Sequence, residues 1–204
     1  MGKRRARVAV GTSQRGFTLV ELMTVIVIVG VLAGLAIYGT RRYVFASRTA
    51  EAGEMINAIK TAQESYRSDA MTYLDVSGVH AVSDMSGFAP STAPGNFKTA
   101  WGGGANAARW KQLNVRPDGS PLYFVYACSA GELPANKVDD YDVAGIWASH
   151  AVTNKTITGW PPAALTAGSW YVVKAVGNLN GDKTSQLWVT ASFTDQVFNN
   201  DDAD

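Results

Sequence analysis

The run from Phe17 to Tyr38 is 22 residues long, and Glu21 is its only charged member. At ~1.5 Å per residue a helix of that length reaches roughly 33 Å, enough to cross a hydrocarbon core of ~30 Å. The spacing therefore predicts a membrane-spanning helix. Glu21 is the anomaly within it. An ionised side chain in an apolar span costs at least ~2.5 kcal/mol, so such residues usually carry a function. Two readings stand. Glu21 rests at headgroup depth, or it faces a new N-terminal amine created by cutting the chain just before Phe17. In the first turn of the helix, the positive end of the dipole favours either placement.

The flanks of the run are unequal. Lys3, Arg4, Arg5, Arg7 and Arg15 precede it, with no acidic residue before Glu21. The positive-inside rule predicts a cytoplasmic N-terminus and an exported remainder. A secretory signal also has a basic region before an apolar one, but it is cut after the apolar region. Here Gly16 comes first, so a cut at Gly16 would leave the product anchored by its own N-terminus.

Gly16, Phe17 and the string Thr18-Leu19-Val20-Glu21-Leu22-Met23, behind a basic leader and ahead of a long apolar helix, resemble the processing site of type IV pilins and pseudopilins. The resemblance implies cleavage after Gly16 by a membrane aspartic peptidase, the prepilin peptidase, and methylation of Phe17. It also implies assembly by an inner-membrane machinery into a helical homopolymer. Glu21 would pair there with the Phe17 amine of a neighbouring subunit. Members of the family can lose regular helix in the assembled filament, which in this chain points to Gly30, Gly34 and Gly39. Two departures stand out: Tyr38 occupies a position where the family commonly has proline, and a single cysteine, Cys128, excludes the intramolecular disulfide that many pilins carry.

The organisation expected is a leader over 1–16, a long helix over 17–68 with its membrane and assembly half at 17–38, and an extracytoplasmic β-rich domain over 69–204. Ala52, Met55, Ile56, Ile59, Ala62 and Tyr66 recur at three-to-four spacing, predicting a helix face that packs under a domain. Residues 69–120 read as an irregular connector punctuated by Gly and Pro, with a short helix at 105–113 anchored by Trp110 and Leu113. Strands are expected at 122–128, 142–150, 169–176 and 186–193, the last two joined through Asn180-Gly181. The fold class is α+β: a long helix on an antiparallel sheet of about four strands. The acidic end, Asp201 to Asp204, reads as a solvated tail.

Chemistry is sparse. Charges nearly cancel at +1, giving no argument for nucleic acid. His80 and His150 lack metal or hydrolase spacing, the run Gly102-Gly103-Gly104 lacks a phosphate-loop ending, and no catalytic constellation emerges. Asn178, Asn180 and Asp182 place oxygen side chains at alternating positions, which suits either a plain turn or a weak calcium site. No other cofactor is expected. Cys128 reads as a small core residue in a strand, and the six tryptophans as packing groups. The expected function is a structural subunit of a type IV pilus. The alternatives are a pseudopilin of a type II secretion system, a minor pilin, or a single-pass anchored binding or enzymatic domain.

Overall fold

A computed structural model of the chain describes residues 16–78, 88–90, 94–102, 104, 106–117, 121–136, 166–179, 181 and 186–199. The elements run α1 (Leu19–Ala70), α2 (Ala107–Leu113), β1 (Val125–Leu133), β2 (Gly168–Gly177), β3 (Gln186–Ala191) and β4 (Phe198–Asn199). The chain divides into two units, Met1–Val44 and Phe45–Asp204.

In the first unit α1 is helical without interruption through Gly30, Gly34 and Gly39. Its apolar side chains are bare: Leu19 is 73% exposed, Ile28 53% and Leu35 67%. This stretch is long and apolar enough to cross a membrane, and none of its most apolar part is buried. Thr24 and Thr40 return their hydroxyls to the carbonyls of Val20 and Ala36 at 2.9 and 2.7 Å. Hydrogen bonds turned back onto the helix suit a medium that offers none.

In the second unit the same helix becomes one-sided. Ala52, Met55, Ile56 and Ile59 are buried, as their spacing predicts, and Phe45, Ala62 and Tyr66 pack against that core in part. Gln63 continues the stripe although it is polar. Its Nε2 donates to the Leu74 carbonyl (2.8 Å) and to Cys128 Sγ (3.0 Å). Its Oε1 accepts from the Leu74 N–H at 3.0 Å. One amide thus clasps the chain that leaves the helix and ties it to the sheet.

The sheet is antiparallel in the order β1-β2-β3-β4. Val125 pairs with Val176 and Leu133 with Gly168; Val172 pairs with Ala191 and Gly177 with Gln186. Alternation sends Tyr126, Cys128, Tyr171, Val173 and Ala175 toward α1, with Trp110 and Leu113 of α2. Val125, Ala127, Trp170, Val172, Val176 and Leu187 form a second core on the opposite face. A sheet buried on both faces reads as near-continuous apolar strands rather than strict alternation.

Several expected boundaries change. The helix starts at Leu19 rather than Phe17 and ends at Ala70 rather than Ser68. The strand expected over 122–128 is β1 at Val125–Leu133. Leu122 to Phe124 are apolar or aromatic, yet Leu122 bridges Thr99 and the Tyr123 and Phe124 N–H groups donate to Glu51 Oε1 at 2.7 and 3.2 Å. Those groups serve the connector and α1, so the ladder begins only at Val125. Burial raises the Glu51 carboxyl above its ordinary range, outweighing the lowering by these two N–H donors. β3 stops at Ala191, where the Ser192 N–H donates to the Tyr171 carbonyl. The expected strand at 142–150 lies outside the described residues, as do His80, His150, Trp147, Trp160 and the acidic tail. β4, which was not anticipated, supplies the fourth strand.

Candidate functional site

The residues singled out near the N-terminus meet at the start of α1. Thr18 stands one residue before the helix, and Glu21 is its third helical residue. The Thr18 N–H and Oγ1–H both donate to Glu21 Oε2, at 2.8 and 2.7 Å, and the Glu21 N–H donates to Thr18 Oγ1 at 3.2 Å. This reciprocal arrangement is a capping box, in which two otherwise orphaned N–H groups are satisfied. Both donors converge on one carboxylate oxygen. Oε1 has no bonding partner among the described residues, so half of the carboxylate stays available to a donor from outside.

Gly16 and Phe17 lie outside the helix, both exposed. A Cβ built on Gly16 would meet nothing within 4 Å, so no packing among the described residues demands glycine there. Gly30, Gly34 and Gly39 are likewise open to their surroundings. They leave shallow places on a bare apolar helix where another helix can approach closely.

Of the calcium candidates, Asn178 is described. Its Oδ1 accepts the Gly181 N–H at 2.9 Å, and Gly181 has φ +74°, where glycine is favoured. This is a turn-forming use of the side chain. Asn180 and Asp182 lie outside the described residues. Among the described residues no group of three or more His, Cys, Asp and Glu stands together to hold a metal ion.

Cys128 is fully buried, and burial pushes its thiol up to about 12, despite the hydrogen bond from Gln63. The nucleophilic thiolate is therefore far scarcer at neutral pH than for an ordinary thiol. Iodoacetamide is expected to leave the native protein unlabelled and to label Cys128 once denaturant is added. Rapid labelling of the native protein, followed by mass spectrometry, would contradict this burial.

Residues 11–37 match the family model described as the prokaryotic N-terminal methylation motif. The chain is also similar to the type IV major pilin protein PilA of Myxococcus xanthus, 30% identical over 188 residues, which is 88% of this chain and 80% of that protein. This chain belongs to the type IV pilin family. The fimbrial protein EcpC of Eikenella corrodens is 45% identical over 56 residues, 28% of this pilin and 37% of EcpC. A fimbrial protein of Pseudomonas aeruginosa is 43% identical over 53 residues, 26% of this pilin and 34% of its own length. No solved structure matches.

In this pilin Glu21 stands out in the sequence by its charge, whereas its partner Thr18 does not. The signal was in plain view, since Thr-x-x-Glu ahead of an apolar run is the written form of a capping box. Gln63 carries a weaker signal: it sits four residues after Ile59, on the buried stripe.

Proposed function

We infer that this chain is a structural subunit of a type IV pilus. The similarity that runs across most of its length to a major pilin carries this reading. The apolar half of α1 supplies the means: bare in the single chain, it must lie in lipid or against like helices. Before assembly it anchors the subunit in the membrane, with the basic leader on the cytoplasmic side. Cleavage after Gly16 by a prepilin peptidase frees the Phe17 amine, which is then methylated.

The geometry at Glu21 suits the next step. Oε2 holds Thr18 and keeps the first turn of the helix closed, while Oε1 accepts the amine of a neighbouring Phe17. One carboxylate then does both tasks without surrendering its cap. In a water-poor setting an ion pair supported by further hydrogen bonds offsets more of its desolvation than a bare pair does. The assembly machinery of the inner membrane moves the subunit from lipid into the filament, where apolar helices replace lipid with one another. The subunit's role is architectural rather than catalytic.

Intact mass and N-terminal sequence, measured on membrane and sheared-surface fractions, test the reading. A chain beginning at methylated Phe17 and recovered from sheared filaments is the expected result. A chain beginning at Met1 and confined to membranes, in cells with an active peptidase, overturns it.

A further inference from the structure

The C-terminal end of the apolar run has a composition of its own. Between Glu21 and Glu51 there is no acidic residue, while Arg41 and Arg42 stand side by side between Tyr38 and Tyr43. All four side chains are exposed, Tyr38 at 69% and Tyr43 at 76%. Neither arginine makes a hydrogen bond or ion pair with a described residue, whereas Arg48, further along the helix, donates to the Leu179 carbonyl at 3.2 Å and stacks on Tyr123. At about 100° per residue the four positions spread over more than half the helix circumference, within a rise of about 8 Å. They form a band around the axis. Tyr38 lies about 29 Å along the axis from Leu19, close to the ~30 Å of a hydrocarbon core.

We propose that Tyr38, Arg41, Arg42 and Tyr43 form a belt that binds the phosphate groups of anionic phospholipids at the C-terminal end of the membrane span. The proposal rests on the reading that α1 crosses the membrane with its apolar half. Charge complementarity selects the occupant. Two always-charged, unpaired guanidinium groups present forked donors that match phosphate oxygens, and amphipathic tyrosine rings favour the headgroup layer. A neutral headgroup gives the arginines less, because its own cation competes for the phosphate. The belt would hold the waiting subunit at a fixed depth and release its lipids when the subunit leaves for the filament.

The test uses the full chain reconstituted in bilayers of phosphatidylcholine with a minor share of phosphatidylglycerol. Alkaline carbonate extraction first establishes insertion. Electron spin resonance then compares the association of spin-labelled phosphatidylglycerol with that of spin-labelled phosphatidylcholine. Each arginine near the surface is expected to contribute about a fivefold preference for the anionic lipid, and the pair up to about thirtyfold. The doubly substituted R41Q/R42Q chain, with the same leader, should lose that increment, R41K/R42K should keep most of it, and raised salt should weaken it. Insertion with equal preference in wild type and R41Q/R42Q overturns the belt alone. Failure to insert overturns both the belt and the membrane reading. Loss of self-association in R41Q/R42Q with an unchanged lipid preference would make the band a contact between copies of the chain instead.

Discussion

Replacing Glu21 by alanine is expected to leave the subunit in the membrane and remove the filament. Insertion depends on the apolar run, and deleting its one carboxylate makes that run more apolar. The helix start also survives in part, because the Glu21 N–H bond to Thr18 Oγ1 involves backbone rather than carboxylate. What disappears, in the assembly proposed above, is the acceptor for the Phe17 amine of the next subunit. With no counter-charge, a desolvated amine opposes docking, and recovery in the sheared-surface fraction should fall at least about tenfold while the membrane pool stays level or rises. Immunoblots of both fractions measure this. Glu21→Gln separates the two tasks of the side chain: it can still bond Thr18 but carries no charge. Filaments from Glu21→Gln would mean that capping, not charge, matters. Normal filaments from Glu21→Ala would remove the carboxylate from assembly altogether.

Gln63→Leu is expected to weaken the folded domain more than a change of one polar side chain on a helix ordinarily would. Leucine fits a buried helical stripe in size and propensity, so propensity alone predicts little change. The cost arises from what is left behind. The Leu74 N–H and carbonyl, at the margin of the core, both lose their partner, and the buried Cys128 Sγ loses its donor. Leaving half-buried backbone groups unmet costs roughly 1–3 kcal/mol in total, or roughly 2–12 °C in Tm for a domain of this size. All six tryptophans follow residue 100, so their fluorescence follows the domain and not the anchor during heating in detergent. A Tm within about 1 °C of wild type would show that the clasp contributes little.

These two residues show what the sequence made legible and what it concealed. The apolar run, its lone carboxylate and the three-to-four stripe on α1 are local patterns, and each appears where its period places it. β2 and β3 were also readable, since both are rich in β-branched and aromatic residues and flank the dipeptide Asn180-Gly181 in the sequence. Longer-range choices were hidden. Nothing local in Leu122 to Phe124 says that their backbone answers to Thr99 and Glu51 instead of to β2. A two-residue strand such as β4 has no period to detect; pairing of Phe198 with Val189 defines it. The polar identity of Gln63 argues for solvent, whereas its partners lie eleven and sixty-five residues away, beyond any local pattern.

The outer edge of β1 bears on life inside a polymer. The Phe124 N–H is taken by Glu51, both backbone groups of Tyr126 by Ala89, and the Cys128 carbonyl by the N–H groups of Val76 and Ser77. The Ala130 N–H goes to Asp75 Oδ1, and the Glu132 carbonyl accepts from the Asn136 N–H. At the far side the sheet ends in only two paired residues. Open strand edges invite pairing between chains, and crowding many copies together multiplies that hazard. With the outer edge of β1 already occupied from within its own chain, that side of the domain can lie close to another copy without offering it a strand to pair with.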